Sequence, residues 1–145
     1  VFRELEGSYK QGDPLSPLLF TMVMEVLSRM MDRAREGGFL RGFGVGQVDV
    51  SHILFAVDTI IFCGAEESQL HYLRCVLCFE VVSVLRINIG KSEIIPVGRV
   101  EDVEVLAANM ECMVKQLPIT YLGLPLGAPH KSKTVWNPVV ERMEK

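Results

Sequence analysis

Four short stretches of this chain carry residues whose type and spacing could do chemistry. The first centres on Asp58, set between the apolar, β-rich runs Ile53-Leu54-Phe55 and Ile60-Ile61-Phe62. A carboxylate beside a tight turn between two strands is held at a fixed point above the sheet. Such placement suits phosphoryl transfer, in which two Mg²⁺ ions about 3.5–4 Å apart clamp the attacking and leaving oxygens, each with oxygen ligands at roughly 2.0–2.1 Å. One carboxylate cannot hold that pair. Taken alone, Asp58 is more simply a turn residue, because aspartate tolerates hairpin dihedrals.

The second stretch is Gln11-Gly12-Asp13-Pro14-Leu15-Ser16-Pro17. Gly12, Pro14 and Pro17 restrict the backbone just before a helical pattern, while Gln11 and Ser16 offer side-chain hydrogen bonds. A stiff polar loop at a helix N-terminus can dock a sugar, base or phosphate; a capped helix start with two prolines is the plainer alternative. The third is Lys91, in Leu85-Arg86-Ile87-Asn88-Ile89-Gly90-Lys91-Ser92. A lysine in a turn after a strand could protonate or neutralise a departing pyrophosphate, or simply be solvated. The glycine that a phosphate-binding P-loop requires before Gly90-Lys91-Ser92 is missing. The fourth is Tyr121-Leu122-Gly123-Leu124-Pro125-Leu126-Gly127, a bent apolar ribbon whose backbone edge could position a strand terminus or serve only as a hairpin.

Other reactive side chains do not group. His52, His71 and His130 have no spacing that suggests a metal site or a triad. Of the four cysteines, only Cys75 and Cys78 are suggestively spaced, and no second pair completes a zinc site; all four are expected to be buried reduced thiols. Met22, Met24, Met30 and Met31 read as core filling.

The elements that must hold these residues can be read from periodicity. Residues 1–12 show none and form an entry segment. A helix from Pro14 or Pro17 to Arg35 is capped by Asp13 or Ser16, with a proline in its first position. Its apolar stripe is Leu19, Val23, Val26, Met30 and Ala34, Glu25 pairs with Arg29 one turn on, and Gly37-Gly38 ends it. Short β segments follow at 39–46, 50–55 and 59–63, the last two flanking the Asp58 turn. A second helix over 66–84 presents Leu70, Leu73, Leu77, Val81 and Val84. Strands are expected at 86–89 and 93–97, a helix over 101–111 with Val103, Leu106, Ala107 and Met110 inward, and a short hairpin or extended pair over 120–126, broken by Gly123 and Pro125. A last helix starts at Ser132 or at Asn137-Pro138. The result is an α+β domain, an antiparallel sheet with helices on one face.

The totals are those of one domain. The 145 residues are 49% hydrophobic and 23% charged, too apolar for a disordered chain, and no linker or repeat divides them. The net charge of −3 does not advertise a nucleic-acid binder, since phosphates are contacted mostly by Lys and Arg. No signal peptide or run of membrane-spanning length is present, so the expected location is intracellular, nuclear or cytoplasmic, without a membrane partner. Nothing bears on oligomeric state. Val1 is not an initiator methionine and Lys145 falls inside a helical pattern, so the sequence is expected to be part of something longer.

Singly, none of the four stretches decides; their order does. Together they resemble the reverse transcriptase of plant LINE-type (non-LTR) retrotransposons over essentially the whole chain, including Phe55-Ala56-Val57-Asp58 and Lys91-Ser92-Glu93. The resemblance implies a partial polymerase palm over residues 1–145, with about 128–145 leading toward the thumb and the fingers missing. It places Gln11, Gly12, Pro14 and Ser16 under the template base and incoming nucleotide. Asp58 becomes a catalytic metal ligand, Lys91 the proton donor to pyrophosphate, and Tyr121, Leu122 and Gly123 the primer grip. Intact relatives would use Mg²⁺, an RNA or DNA template with its primer, and deoxynucleotides.

Two departures weigh against activity. The family has Phe-Ala-Asp-Asp at the hairpin, so Val57 stands at the position of a lost ligand. A further aspartate belongs upstream of the Gln11 loop, before the sequence starts. The expected function is therefore an RNA-directed DNA polymerase segment that is catalytically inactive as it stands, with no productively bound metal. A non-catalytic nucleic-acid-binding or protein-interaction remnant is the alternative, and a chain that does not fold stably is a third outcome.

Overall fold

The computed structural model describes residues 2–7, 15–83, 85–128 and 133–143. In chain order the elements begin with β1 (Phe2–Gly7), α1 (Ser16–Glu36), β2 (Phe43–Val45), β3 (Val48–Val50), β4 (His52–Phe55) and β5 (Asp58–Ile61). Next come α2 (Glu67–Leu77), α3 (Glu80–Ser83), β6 (Leu85–Ile87), a single 3-10 turn (Ile89–Lys91) and β7 (Glu93–Ile94). The remainder is α4 (Val103–Asn109), β8 (Met113–Val114), β9 (Ile119–Tyr121), β10 (Leu124–Leu126) and α5 (Lys133–Met143).

The main sheet runs β4-β5-β1-β7-β8, with β6 also paired to β1. All its pairs are antiparallel except β7–β8. At its centre lies β1, in the entry segment whose sequence shows no periodicity. Phe2, Arg3 and Glu4 oppose Ile60, Thr59 and Asp58, and Leu5, Glu6 and Gly7 oppose Ile87, Arg86 and Leu85. The sequence Phe-Arg-Glu-Leu-Glu-Gly has no clean two-residue alternation, and its pairing is imposed by neighbours on both edges rather than by propensity.

Helix α1 buries Met24, Leu27, Met31 and Ala34. That stripe is rotated from the expected one: Leu19 and Val26 remain about half exposed, and Val23 and Met30 pack only at the margin. Apolar residues wrap most of this helix, so periodicity alone could not select the inward face. Of the methionine group, Met24 and Met31 are core, while Met22 is exposed. The start of the helix also differs. Leu15 occupies the cap without a side-chain hydrogen bond, Ser16 is the first helical residue and Pro17 the second, while Asp13 lies outside the described residues. Glu25 and Arg29 pair at 3.0 Å as expected, an exposed pair worth well under ~1 kcal/mol. After Gly37, Gly38 takes the left-handed conformation, φ +74°, that lets the chain reverse.

Helix α2 stops at Leu77, earlier than expected, and buries Leu70, Leu73, Val76 and Leu77. The break swings Phe79 into the core at 4% exposure and leaves Val81 84% exposed. Burying a phenylalanine yields about 1.5–3 kcal/mol, which favours the turn over a straight helix. Ala107 and Met110 are buried beside partly buried Val103 and Leu106, as the helical pattern predicted. Strand β2 lies within the β segment expected at 39–46, but its pairing with β3, and β8, were not anticipated; α5 starts at Lys133, near the Ser132 alternative, with Asn137 and Pro138 inside it rather than at its cap. Cys75 and Cys78 are exposed, contrary to expectation, because they lie on the solvent side where α2 ends; all four cysteines are free thiols. Among the described residues no helix is long and apolar enough to cross a membrane.

Candidate functional site

Strands β4 and β5 form a hairpin whose last pair is Phe55 with Asp58, so Ala56 and Val57 make the turn. Ala56 sits at φ +49°, a left-handed conformation that costs an L-residue roughly 1–2 kcal/mol. Packing on one face offsets that cost: Thr59 and Ile61 are 2% and 1% exposed. By alternation Asp58 lies on the opposite face of the strand, half-buried, in register with Glu4 of β1. Val57 projects from the turn at 39% exposure.

Lys91 ends the 3-10 turn that separates β6 from β7. Asn88 pins that turn: its carbonyl and its Oδ1 accept from the Lys91 N–H at 3.1 and 3.2 Å. Ser92, with no exposed surface, donates its hydroxyl to the same Asn88 carbonyl at 2.8 Å. The lysine therefore leaves a fixed backbone. Beyond it, Glu93 on β7 accepts from Lys115 Nζ at 3.0 Å, and the Lys115 N–H donates to the Ile94 carbonyl at 2.9 Å.

The third component is the β9–β10 ribbon. Its turn is Leu122-Gly123, both left-handed at φ +51° and +80°, the arrangement that matches strand twist in a two-residue hairpin. Burial, and then the nearby Asp58 carboxylate, push the Tyr121 phenol above its ordinary range.

These parts meet in one cleft of about 310 Å³, lined by Asp58, Gly90, Lys91, Glu93, Lys115, Ile119, Thr120, Tyr121 and Leu122. Four predicted site residues from three distant segments, Asp58, Lys91, Tyr121 and Leu122, thus line the same space. Gly123 is the turn neighbour of Leu122 and does not line it; Ser16, at the start of α1, does not line it either. Gln11, Gly12 and Pro14 lie outside the described residues. Sequence reasoning missed Glu93 and Lys115 as cleft residues. Lys115 follows β8, a two-residue strand with no readable pattern, so nothing in the sequence placed it.

A model of the reverse transcriptase (RNA-dependent DNA polymerase) family matches residues 3–126. This chain belongs to that family. An uncharacterised mitochondrial protein of Arabidopsis thaliana is 50% identical over 52 residues, a stretch covering 34% of this chain and 43% of that protein.

For a reverse transcriptase domain the question is whether the cleft fits the Mg²⁺ ions on which the family generally relies. Its described residues do not: the Val57 side chain offers no oxygen beside Asp58, and the other described carboxylate lining the cleft, Glu93, is engaged by Lys115. Among the described residues no group of three or more His, Cys, Asp or Glu side chains could hold a metal ion. The cleft retains two lysines, a tyrosine and a ribbon edge, groups that can hold phosphate and sugar without a metal.

Proposed function

We propose that this chain is a palm segment of a plant LINE-type (non-LTR) retrotransposon reverse transcriptase, and that Val57 leaves it unable to add nucleotides. In this reading residues 1–145 are a partial palm, of which about 128–145 lead toward the thumb. Asp58 is the metal-site aspartate that remains, Lys91 faces the pyrophosphate position, and Tyr121, Leu122 and Gly123 grip a primer end. Gln11, Gly12, Pro14 and Ser16 lie beneath the template base. The observation that carries it is the convergence of Asp58, Lys91, Tyr121 and Leu122 on one cleft.

Phosphoryl transfer needs charge neutralised at both the attacking and leaving oxygens. A valine side chain in place of a carboxylate removes one ligand and supplies nothing, a loss of several kcal/mol of transition-state stabilisation. Primer extension on an RNA template with Mg²⁺ or Mn²⁺ is expected to give no product. Template-dependent synthesis by the unmodified chain would falsify the inactivity.

The lysines and tyrosine that persist without a metal cluster favour a second reading, a non-catalytic module that still binds a primer–template. Its test is fluorescence anisotropy against salt. A saturable signal that weakens as salt rises supports binding through phosphates; no signal at low salt ends this reading.

A further inference from the structure

Among the described residues, the cleft is lined by two carboxylates, Asp58 and Glu93, and two lysines, Lys91 and Lys115. The charges are not equivalent. Glu93 has only 18% of its side chain exposed, whereas Lys115 keeps 53% and reaches Glu93 from the neighbouring strand. Both backbones are fixed, because β7 and β8 pair in parallel and the Lys115 N–H is bonded to Ile94. Lys115 can therefore swing only at its side chain, between the Glu93 carboxylate and the cleft that both residues line.

Resting on the reading of this cleft as a polymerase-type site, we propose that Lys115 is a second polyphosphate-binding residue, and that Glu93 latches it while the cleft is empty. A linear polyphosphate entering beside Lys91 competes with Glu93 for the Lys115 ammonium. Three donors on a flexible stem let that ammonium exchange one oxygen for another without backbone movement. The pair is open to water at its lysine end, so water can replace the carboxylate as the ammonium turns away. Lys115 then adds one charge-assisted contact to phosphate, and Glu93 sets how readily that contact becomes available.

The test is calorimetric titration of the intact chain with inorganic tripolyphosphate in EDTA at low salt, with circular dichroism confirming each variant's fold. Lys115→Gln should weaken binding about tenfold and Lys115→Arg by less than about twofold, for one charge-assisted hydrogen bond. Glu93→Gln should tighten it about fivefold, the size of one weak ion pair's release. The decisive arm is the double variant: in a Lys115→Gln background, Glu93→Gln should change affinity by less than about twofold. If its gain persists there, Glu93 acts only as a repelling charge and the latch is wrong. If Lys91→Gln abolishes binding while Lys115→Gln does nothing, the cleft reading stands and this inference fails. If neither the unmodified chain nor Glu93→Gln binds tripolyphosphate, both fall together.

Discussion

Two hairpins face one cleft, and they are built by opposite means. The β4–β5 hairpin is part of the main sheet, with β5 paired along β1 and Thr59, Ile60 and Ile61 all buried. The β9–β10 ribbon pairs only with itself, and Leu124 and Leu126 are 51% and 41% exposed. The first hairpin tolerates an ill-suited turn because packing over-determines it: Ala56 is left-handed and Val57 is β-branched, yet the strands stay in register. The second leaves much of β10 exposed and is packed mainly at Ile119 and against α5, so it leans more on its turn: Leu122 bears the same left-handed cost as Ala56, but Gly123 bears none. An embedded hairpin can thus vary its turn residues without losing its shape, whereas a ribbon outside the main sheet leans on its turn to keep its position.

The largest effect should come from breaking that contrast at the embedded hairpin. Val57→Asp should leave the fold intact while adding the ligand oxygen its neighbour lacks. Mn²⁺ affinity, followed by electron paramagnetic resonance, is expected to rise at least about thirtyfold, or roughly 2 kcal/mol. An unchanged affinity would mean that position 57 does not address the Asp58 site. Next in size is the ribbon turn. Gly123→Ala places a side chain at φ +80° and should cost about 1–1.5 kcal/mol. Because the ribbon forms a sheet separate from the main one, the loss should appear as faster amide exchange at β9 and β10 before any global change. The reciprocal variant Ala56→Gly should shift stability by under about 0.5 kcal/mol, as relief of strain is offset by added chain entropy.

The same contrast governs how much was legible in the sequence. The Asp58 turn, the break at Gly123 in the 120–126 ribbon, the span of α1 and the inward residues of α4 follow from local rules: β-rich runs around a turn, a glycine among apolar residues, 3.6-residue periodicity. Three features do not. The central strand β1 has no alternation to betray it, since its register with Asp58 and with Arg86 is a property of its neighbours. The inward face of α1 was ambiguous because apolar residues surround the helix. Lys115 became a cleft residue only through β8, too short to carry a pattern. The four stretches with chemical character could be found one by one, but that Asp58, Lys91 and Tyr121 share a cleft is a statement about strand order, which no single stretch contains.

A smaller effect tests how firmly the embedded hairpin is tied to its helix. His52 on β4 is partly buried, its Nε2 at 2.8 Å from Ser28 Oγ of α1 and its Nδ1 at 2.8 Å from Ser51 Oγ. Burial lowers its pKa, outweighing the raising influence of Asp32. The unfolded chain then binds the proton first, near its ordinary value of about 6.5. Stability is fully present above that value and declines as pH falls toward the folded pKa. The unfolding midpoint should drop between about pH 7 and 5.5, and His52→Gln should flatten that slope. An identical slope in the variant would assign the dependence to other groups.

The smallest signal joins the two hairpins directly. A phenol loses its proton less readily beside a negative charge, because the phenolate is repelled, and after burial it is Asp58 that raises Tyr121. Asp58→Asn keeps the shape of the side chain and removes the charge, so Tyr121 should titrate at lower pH, read from tyrosinate absorbance against a Tyr121→Phe control. The fall requires the ribbon to sit over the embedded turn in solution, since screening in water suppresses the effect once the two separate by more than a Debye length, about 8–10 Å. No change in the Tyr121 titration would detach the ribbon from the cleft and remove Tyr121 and Leu122 from the site, leaving Asp58 and Lys91 to define it.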